Sequence, residues 1–220
     1  LACIAVQSNQ NDQHGGQSIP NFDYGMAPGV AKTYAKLYRQ NLNKSLELLT
    51  ENTDIDTITS VVYKDISEKH NRIPTLNPNE EYTKLEFDFL KKQAIDEAII
   101  AKAQAFARSK AEIETDRSTY QAMEAFVHNL NTMHSRAGAQ IPFSSINYGM
   151  DISAEGRLVI KNILLATEAG LGNGETPIFP IHIFRVKEGV NYNPGEPNYD
   201  LFKLACRVSA KRLFPNFAFL

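Results

Sequence analysis

IPFSSINYGMDISAEGRLVIKNILLATEAGLGNGETPIFPIHIFRVKEG, residues 141–189, changes its hydrophobic period twice. Its opening run alternates, with Phe143, Ser145 and Asn147 on one face and Ser144, Ile146 and Tyr148 on the other, which is the period-two pattern of a strand. GRLVIKNILLATEAG then reads as a helix that closes on Gly170 as its C-terminal cap, because glycine carries no Cβ. IFPIHIFRVKEG is a second strand. Downstream, PNYDLFKLACRVSAKRLF reads as a helix with Leu201, Leu204, Ala205 and Val208 on its apolar face, and PNFAFL begins a third strand. Strand, helix, strand, helix, strand over about 141–220 predicts parallel strands joined by right-handed helical crossovers, in an α/β sheet or barrel. Sites in such folds lie at the carboxyl ends of the strands, whereas GLGNG enters its strand at the amino end.

Upstream the chain is helical. LACIAVQSN reads as the end of a helix, followed by the polar stretch QNDQHGGQS. From about Pro28 to Leu49, apolar residues at Val30, Tyr34, Leu37, Tyr38, Leu42, Leu46 and Leu49 repeat at helical spacing. The pattern loosens between Thr50 and Asn79, where Pro74 and Pro78 mark a connector after a short helix. Ile99, Phe106, Ile113, Tyr120, Val127 and His134 lie seven apart, thickened by Ile95, Met123, Phe126 and Leu130. This stripe predicts helix from about Glu80 to His134, as one rod or two in succession, packed along that face. His134, placed on the stripe, reads as a structural residue rather than a ligand.

The bulk properties narrow the function. The 220 residues, 43% hydrophobic and 22% charged, suffice for a sizeable core. A formal net charge of -2, with no long Lys/Arg run, disfavours nucleic-acid binding. No apolar run approaches the roughly 18 residues of a membrane helix, and no secretory leader stands at the start, so the chain reads as soluble and cytoplasmic. Cys3 and Cys206 are far apart, with no CxxC spacing, and read as two buried thiols. The chain opens on Leu1 inside an amphipathic helix and closes on NFAFL, so both ends read as cut from a longer polypeptide.

No complete catalytic constellation stands out. GLGNG closes a helix and opens a strand, the reverse of a dinucleotide fingerprint, and reads as a helix terminator with a tight turn rather than a phosphate cradle. HGGQS offers His14, Gln17 and Ser18 beside a backbone that a ligand can approach; a glycine-rich turn with exposed polar residues explains it equally well. Asp54, Asp56, Glu80 and Glu81 sit on solvated helix ends or connectors. On residue type alone, Lys36 is a solvated helix lysine.

Several blocks taken together resemble one family. HGGQSIPNFDYGMAPGVAKTYAK from His14 to Lys36, IPFSSINYG, GLGNGETPIFPIHIFRVKEGVNY and PNYDLFKLACRVSAKRLFPNFAFL are similar, in order, to the catalytic subunit of anaerobic, class III, ribonucleoside-triphosphate reductase. The resemblance implies part of a ten-stranded α/β barrel of the glycyl-radical and ribonucleotide reductase type, with long outer helices and a helical insert over about 50–133. It implies an enzyme that reduces ribonucleoside triphosphates to deoxyribonucleotides for DNA synthesis. In that family a glycyl radical passes its spin to a cysteine, whose thiyl radical takes the 3′-hydrogen of the ribose.

By the same resemblance, the radical residues lie outside these 220 residues, so the chain reads as a fragment that is inactive alone. The family's glycyl radical is installed by an iron-sulfur, S-adenosylmethionine activase. A structural zinc and a homodimer also belong to the family pattern, while Cys3 and Cys206 keep their structural reading and neither is assigned to metal. Lys36 in KTYAK corresponds to the lysine that binds the dNTP effector, and ATP is a further effector. His14, Gln17, Ser18, Ser145 and Asn147 are expected to line the barrel near substrate. The alternative is a non-catalytic nucleotide-binding or dimerisation module of the same ancestry.

Overall fold

The computed structural model describes residues 1–13, 15–50, 54–134 and 140–220. The elements run α1 (Ala2–Asp12), β1 (Gln17–Ile19), α2 (Phe22–Thr50), α3 (Ile55–His70), α4 (Glu80–Lys92), α5 (Glu97–Thr132), β2 (Ser144–Tyr148), α6 (Ala154–Ala169), β3 (Ile181–Val186), α7 (Tyr199–Arg212) and β4 (Asn216–Phe219). The chain divides into two compact units, one of Leu1–Pro28 with Ser118–Leu220 and one of Gly29–Arg117.

The first unit is built on a four-stranded sheet in the order β1-β2-β3-β4, every neighbouring pair parallel. Helical crossovers between consecutive parallel strands make this an α/β arrangement, as the strand-helix alternation predicts. Register fixes two faces. Ser144, Ile146, Tyr148, His182, Phe184 and Val186 are all buried, while Ser145, Asn147, Ile181, Ile183 and Arg185 between them are only half-buried. Thr167 of α6 and Phe202 of α7 reach side chains on the buried face, and α6 packs beside α7.

Local signals explain where these helices begin and end. Ser153 caps α6 by accepting the Gly156 N–H at 3.0 Å. At its other end Gly170 has φ +86°, and a Cβ there would stand 2.6 Å from the Glu175 carbonyl and 2.8 Å from Arg212. GLGNG therefore approaches its own chain: Arg212 donates to the carbonyls of Glu168, Ala169 and Gly174, filling the C-terminal end of α6.

The second unit is a helical core. Tyr34, Tyr38, Leu42 and Leu46 of α2 meet Ile55, Val62 and Ile66 of α3, Tyr82 and Leu90 of α4, and Ile95, Ile100, Ala103, Ala107 and Ala111. Each fully buried large aliphatic side chain contributes roughly 1.5–3 kcal/mol. Inside it Glu86 accepts from Tyr38 Oη at 2.6 Å, Tyr82 Oη at 2.9 Å and Gln104 Nε2 at 2.9 Å. Burial nonetheless pushes its carboxyl above the usual range, against the pull of those donors.

Four expectations are corrected by the structure. The seven-residue stripe follows the packed face of α5 only toward its C-terminal end, where Met123, Phe126, Val127 and Leu130 are buried; earlier it leaves that face, with Phe106 46% exposed and Ile113 63%. The buried seam runs through Ile100, Ala103, Ala107, Ala111, Thr115, Thr119, Met123, Phe126 and Leu130, mostly in steps of four. A straight helix drifts about 20° per heptad, so a seven-residue repeat leaves such a seam, and alanines do not register in a search for large apolar residues. His134, at the end of that stripe, is exposed; its carbonyl accepts from Gln7 Nε2 at 2.7 Å. Cys206 is exposed on α7, whereas Cys3 is buried with its thiol toward the Phe126 carbonyl. Finally, α2 begins at Phe22 and carries Pro28 inside it rather than starting there.

The long helical run is two helices in succession, as one of the two expected forms had it. It is broken after Lys92, where Ala94 takes φ +61° and Asp96 accepts the amides of Ala98 and Ile99 to start α5.

Candidate functional site: the open face of the parallel sheet

Parallel pairing places Ser18 beside Ser145, and Asn147 lies two residues further along the same face. Ser18 is exposed and the other two are half-buried. Gln17 pairs with Ser144 on the other face of the sheet, apart from these three. His14 lies outside the described residues. The open face also carries Arg185 of β3 and Asn216 of β4, since Ile183 pairs with Asn216 and Arg185 with Ala218. This face mixes Ile181 and Ile183 with hydroxyls, amides and one guanidinium, which departs from the apolar pattern that burial on both sides requires.

Two atoms of this face are chemically incomplete. Asn147 Oδ1 and Arg185 Nε are buried without a hydrogen-bond partner, although buried polar groups are almost always paired. Arg185 Nη2 donates to Asn21 Oδ1 at 2.8 Å, reaching toward the segment that follows β1.

The carboxyl ends of the strands are fixed by side chains that the sequence reading did not single out. Asp23 Oδ2 accepts three amides, from Gly149, Met150 and Asp151, at 2.9, 2.9 and 3.0 Å, and its Oδ1 accepts that of Tyr24 at 3.1 Å. Asn191 Nδ2 bridges the carbonyls of Gly149 and Arg185, both at 2.9 Å, and Asn198 Nδ2 bridges those of Gly149 and Asp151. All three side chains are fully buried. Gly149 is required at the centre: its φ is +116°, and a Cβ would meet the Arg185 carbonyl at 2.9 Å. The available signal was a polar residue in each of the blocks NFDYG, GVNY and PNYD. Beside them the Tyr24 phenol is pushed up by burial and then by Asp151 and Asp23, while Arg185 pulls it down.

On the covered face His182 is fully buried and stacks on Phe214, with ring centroids 5.5 Å apart and an interplanar angle of 7°. Thr167 Oγ1 donates to the Ile163 carbonyl, so it accepts from His182 Nε2–H at 3.4 Å, which leaves Nδ1 to accept from Tyr148 Oη at 3.0 Å. Burial lowers the imidazole to about 3 and lifts the Tyr148 phenol well above its usual value. This is a neutral, satisfied core histidine on the side of the sheet away from the open face.

In the other unit Lys36 is exposed on α2. It lines a groove of about 420 Å³ together with Lys32, Arg39, Asp56 and Tyr63, and the Arg39 guanidinium sits 4.0 Å from the Tyr63 ring centre. Three cations along one helix face, one of them stacked on an aromatic ring, suit an anionic ligand.

Among the described residues no group of three or more His, Cys, Asp or Glu side chains is placed to hold a metal ion. None of the described helices is long and apolar enough to cross a membrane.

A family model for anaerobic ribonucleoside-triphosphate reductase matches residues 1–220. Over 126 residues the chain is 36% identical to the anaerobic ribonucleoside-triphosphate reductase of Salmonella typhimurium, covering 57% of this chain and 17% of that protein. The Escherichia coli K12 protein of the same name is 34% identical over the same shares. That of enterobacteria phage T4 is 39% identical over 118 residues, 53% of this chain and 19% of the phage protein. The matched part thus spans less than a fifth of these relatives. Matched along its whole length, this chain belongs to the anaerobic ribonucleoside-triphosphate reductase family.

Proposed function

We propose that the chain serves as part of the catalytic subunit of an anaerobic ribonucleoside-triphosphate reductase in the cytoplasm, reducing ribonucleoside triphosphates to deoxyribonucleotides. The observation that carries this reading is the asymmetry of the sheet, covered and mostly apolar on one side, half-exposed on the other with Ser18, Ser145, Asn147, Arg185 and Asn216 set among Ile181 and Ile183. Ser18, Ser145 and Asn147 would hold ribose hydroxyls or base edges there, and the lattice around Asp23, Asn191 and Asn198 would keep the strand ends rigid enough to orient them. The four parallel strands would belong to a ten-stranded barrel. The family's glycyl radical and thiyl cysteine would supply the radical that takes the ribose 3′-hydrogen.

The groove of Lys32, Lys36 and Arg39 would receive the phosphates of a deoxynucleotide or ATP effector, with Lys36 as a point charge. A homodimer and an activase that installs the radical complete the proposed assembly.

Both halves are tested in one assay of nucleotide reduction by the full-length enzyme. Replacing Ser145 and Asn147 together with Ala lowers turnover at saturating effector by tenfold or more. Lys36→Ala leaves turnover without effector unchanged and raises the effector concentration needed for its response. Unchanged turnover in the Ser145/Asn147 double variant removes the open face from the site; an unchanged effector response removes Lys36.

A further inference from the structure

Arg185 is the single charged side chain that the four described strands place on the open face. It forms no ion pair with a described carboxylate, and carboxylates on the adjoining segments are committed elsewhere. Asp23 is occupied by four amides, and Asp151 accepts the Ser153 amide at 2.9 Å. One guanidinium nitrogen is tethered to Asn21, which limits the orientations of the group, while Nε stays buried and unpaired. On the adjacent strand Asn147 Oδ1 is an acceptor in the same condition.

A half-buried guanidinium without a counter-ion is costly, and so is a buried amide oxygen without a donor. One ligand relieves both if it carries an oxyanion and a hydroxyl: the oxyanion accepts from the planar fork of Arg185, and the hydroxyl donates to Asn147. We propose that Arg185 binds a phosphate oxygen of a nucleotide on the open face, held in orientation by Asn21, while Asn147 Oδ1 accepts a ribose hydroxyl. This deepens the nucleotide reading of the open face and rests on it.

The test is calorimetric titration of the full-length protein, in a Lys36→Ala background that weakens the phosphate groove of α2, with inorganic triphosphate, cytidine triphosphate and cytidine. Arg185→Gln weakens both triphosphates by about ten- to a hundredfold, the range for a charge-assisted hydrogen bond, and leaves cytidine unchanged. Arg185→Lys recovers part of the loss, because it keeps the charge without the fork. A purely structural Arg185 would shift all three ligands alike. Undiminished affinity for triphosphate in Arg185→Gln overturns the proposal; so does undiminished affinity in Arg185→Lys, which also carries the test if the Gln variant fails to fold. If Asn147→Ala loses cytidine triphosphate while Arg185→Gln retains it, the open-face reading stands and the role of Arg185 falls. If the protein with Arg185 and Asn147 intact binds none of the three ligands, both fall.

Discussion

Acidification to pH 5 should destabilise the first unit through His182. In the folded chain the imidazole is held at about 3, against about 6.5 in an unfolded chain. A depressed value means that the folded state stays neutral while the unfolded state takes up a proton. The stability it contributes is therefore complete above about pH 6.5 and falls by roughly 1.4 kcal/mol per pH unit below it, until about pH 3. At pH 5 the loss amounts to about 2 kcal/mol. With a urea dependence of about 2 kcal/mol per molar, the midpoint moves down by about 1 M.

The assay is urea unfolding at several values between pH 7 and pH 5, on wild type and on His182→Gln. Glutamine can still accept from Tyr148 and donate to Thr167, but it does not titrate. Glu86 acts in the opposite direction, because its raised value makes the folded state take up a proton first and so gains stability as pH falls. It is common to both proteins and cancels in their difference. The wild-type midpoint should fall relative to the variant by about 1 M over this range. Parallel pH profiles for the two proteins would refute the reasoning.

Asp23→Ala strands three amides at the strand ends and should cost about 3–6 kcal/mol in denaturant unfolding; a loss under 1 kcal/mol would mean that water replaces the carboxylate. Gly170→Ala forces a Cβ against the Glu175 carbonyl and Arg212 at a positive φ and should cost about 1–3 kcal/mol, read by the same measurement. Iodoacetamide should label Cys206 in the native protein and reach Cys3 only on unfolding, as counted by mass spectrometry, because Cys3 is buried and Cys206 exposed.

The sheet was legible in the sequence because strands report themselves by alternation. Ser144, Ile146 and Tyr148 against Ser145 and Asn147 show both the strand and its two sides, and Gly170 marks the end of α6. The packed face of α5 was legible at Met123, Phe126, Val127 and Leu130 but not further upstream, because there its seam is made of Ala103, Ala107 and Ala111, whose fit depends on how closely neighbouring helices approach. Large residues at Phe106 and Ile113 took their place in the pattern. Of the candidate site, the strand residues Ser145 and Asn147 could be assigned to a face from spacing alone, but Arg185 could not be joined to them without the register between β2 and β3. Asp23, Asn191 and Asn198 act on backbone amides and carbonyls far along the chain. A sequence shows such residues only as polar letters in glycine-rich blocks.

The Asp23 lattice also sets an order of events during synthesis. Gly29–Arg117 is one continuous segment and can assemble as soon as it leaves the ribosome. The carboxylate of Asp23 has to wait for amides up to 128 positions downstream. At about 5–20 residues per second, that delay is on the order of 6–25 s. During that interval β1 lacks its described partner β2, so the nascent chain carries an early strand whose neighbour follows only after α2, α3, α4 and α5.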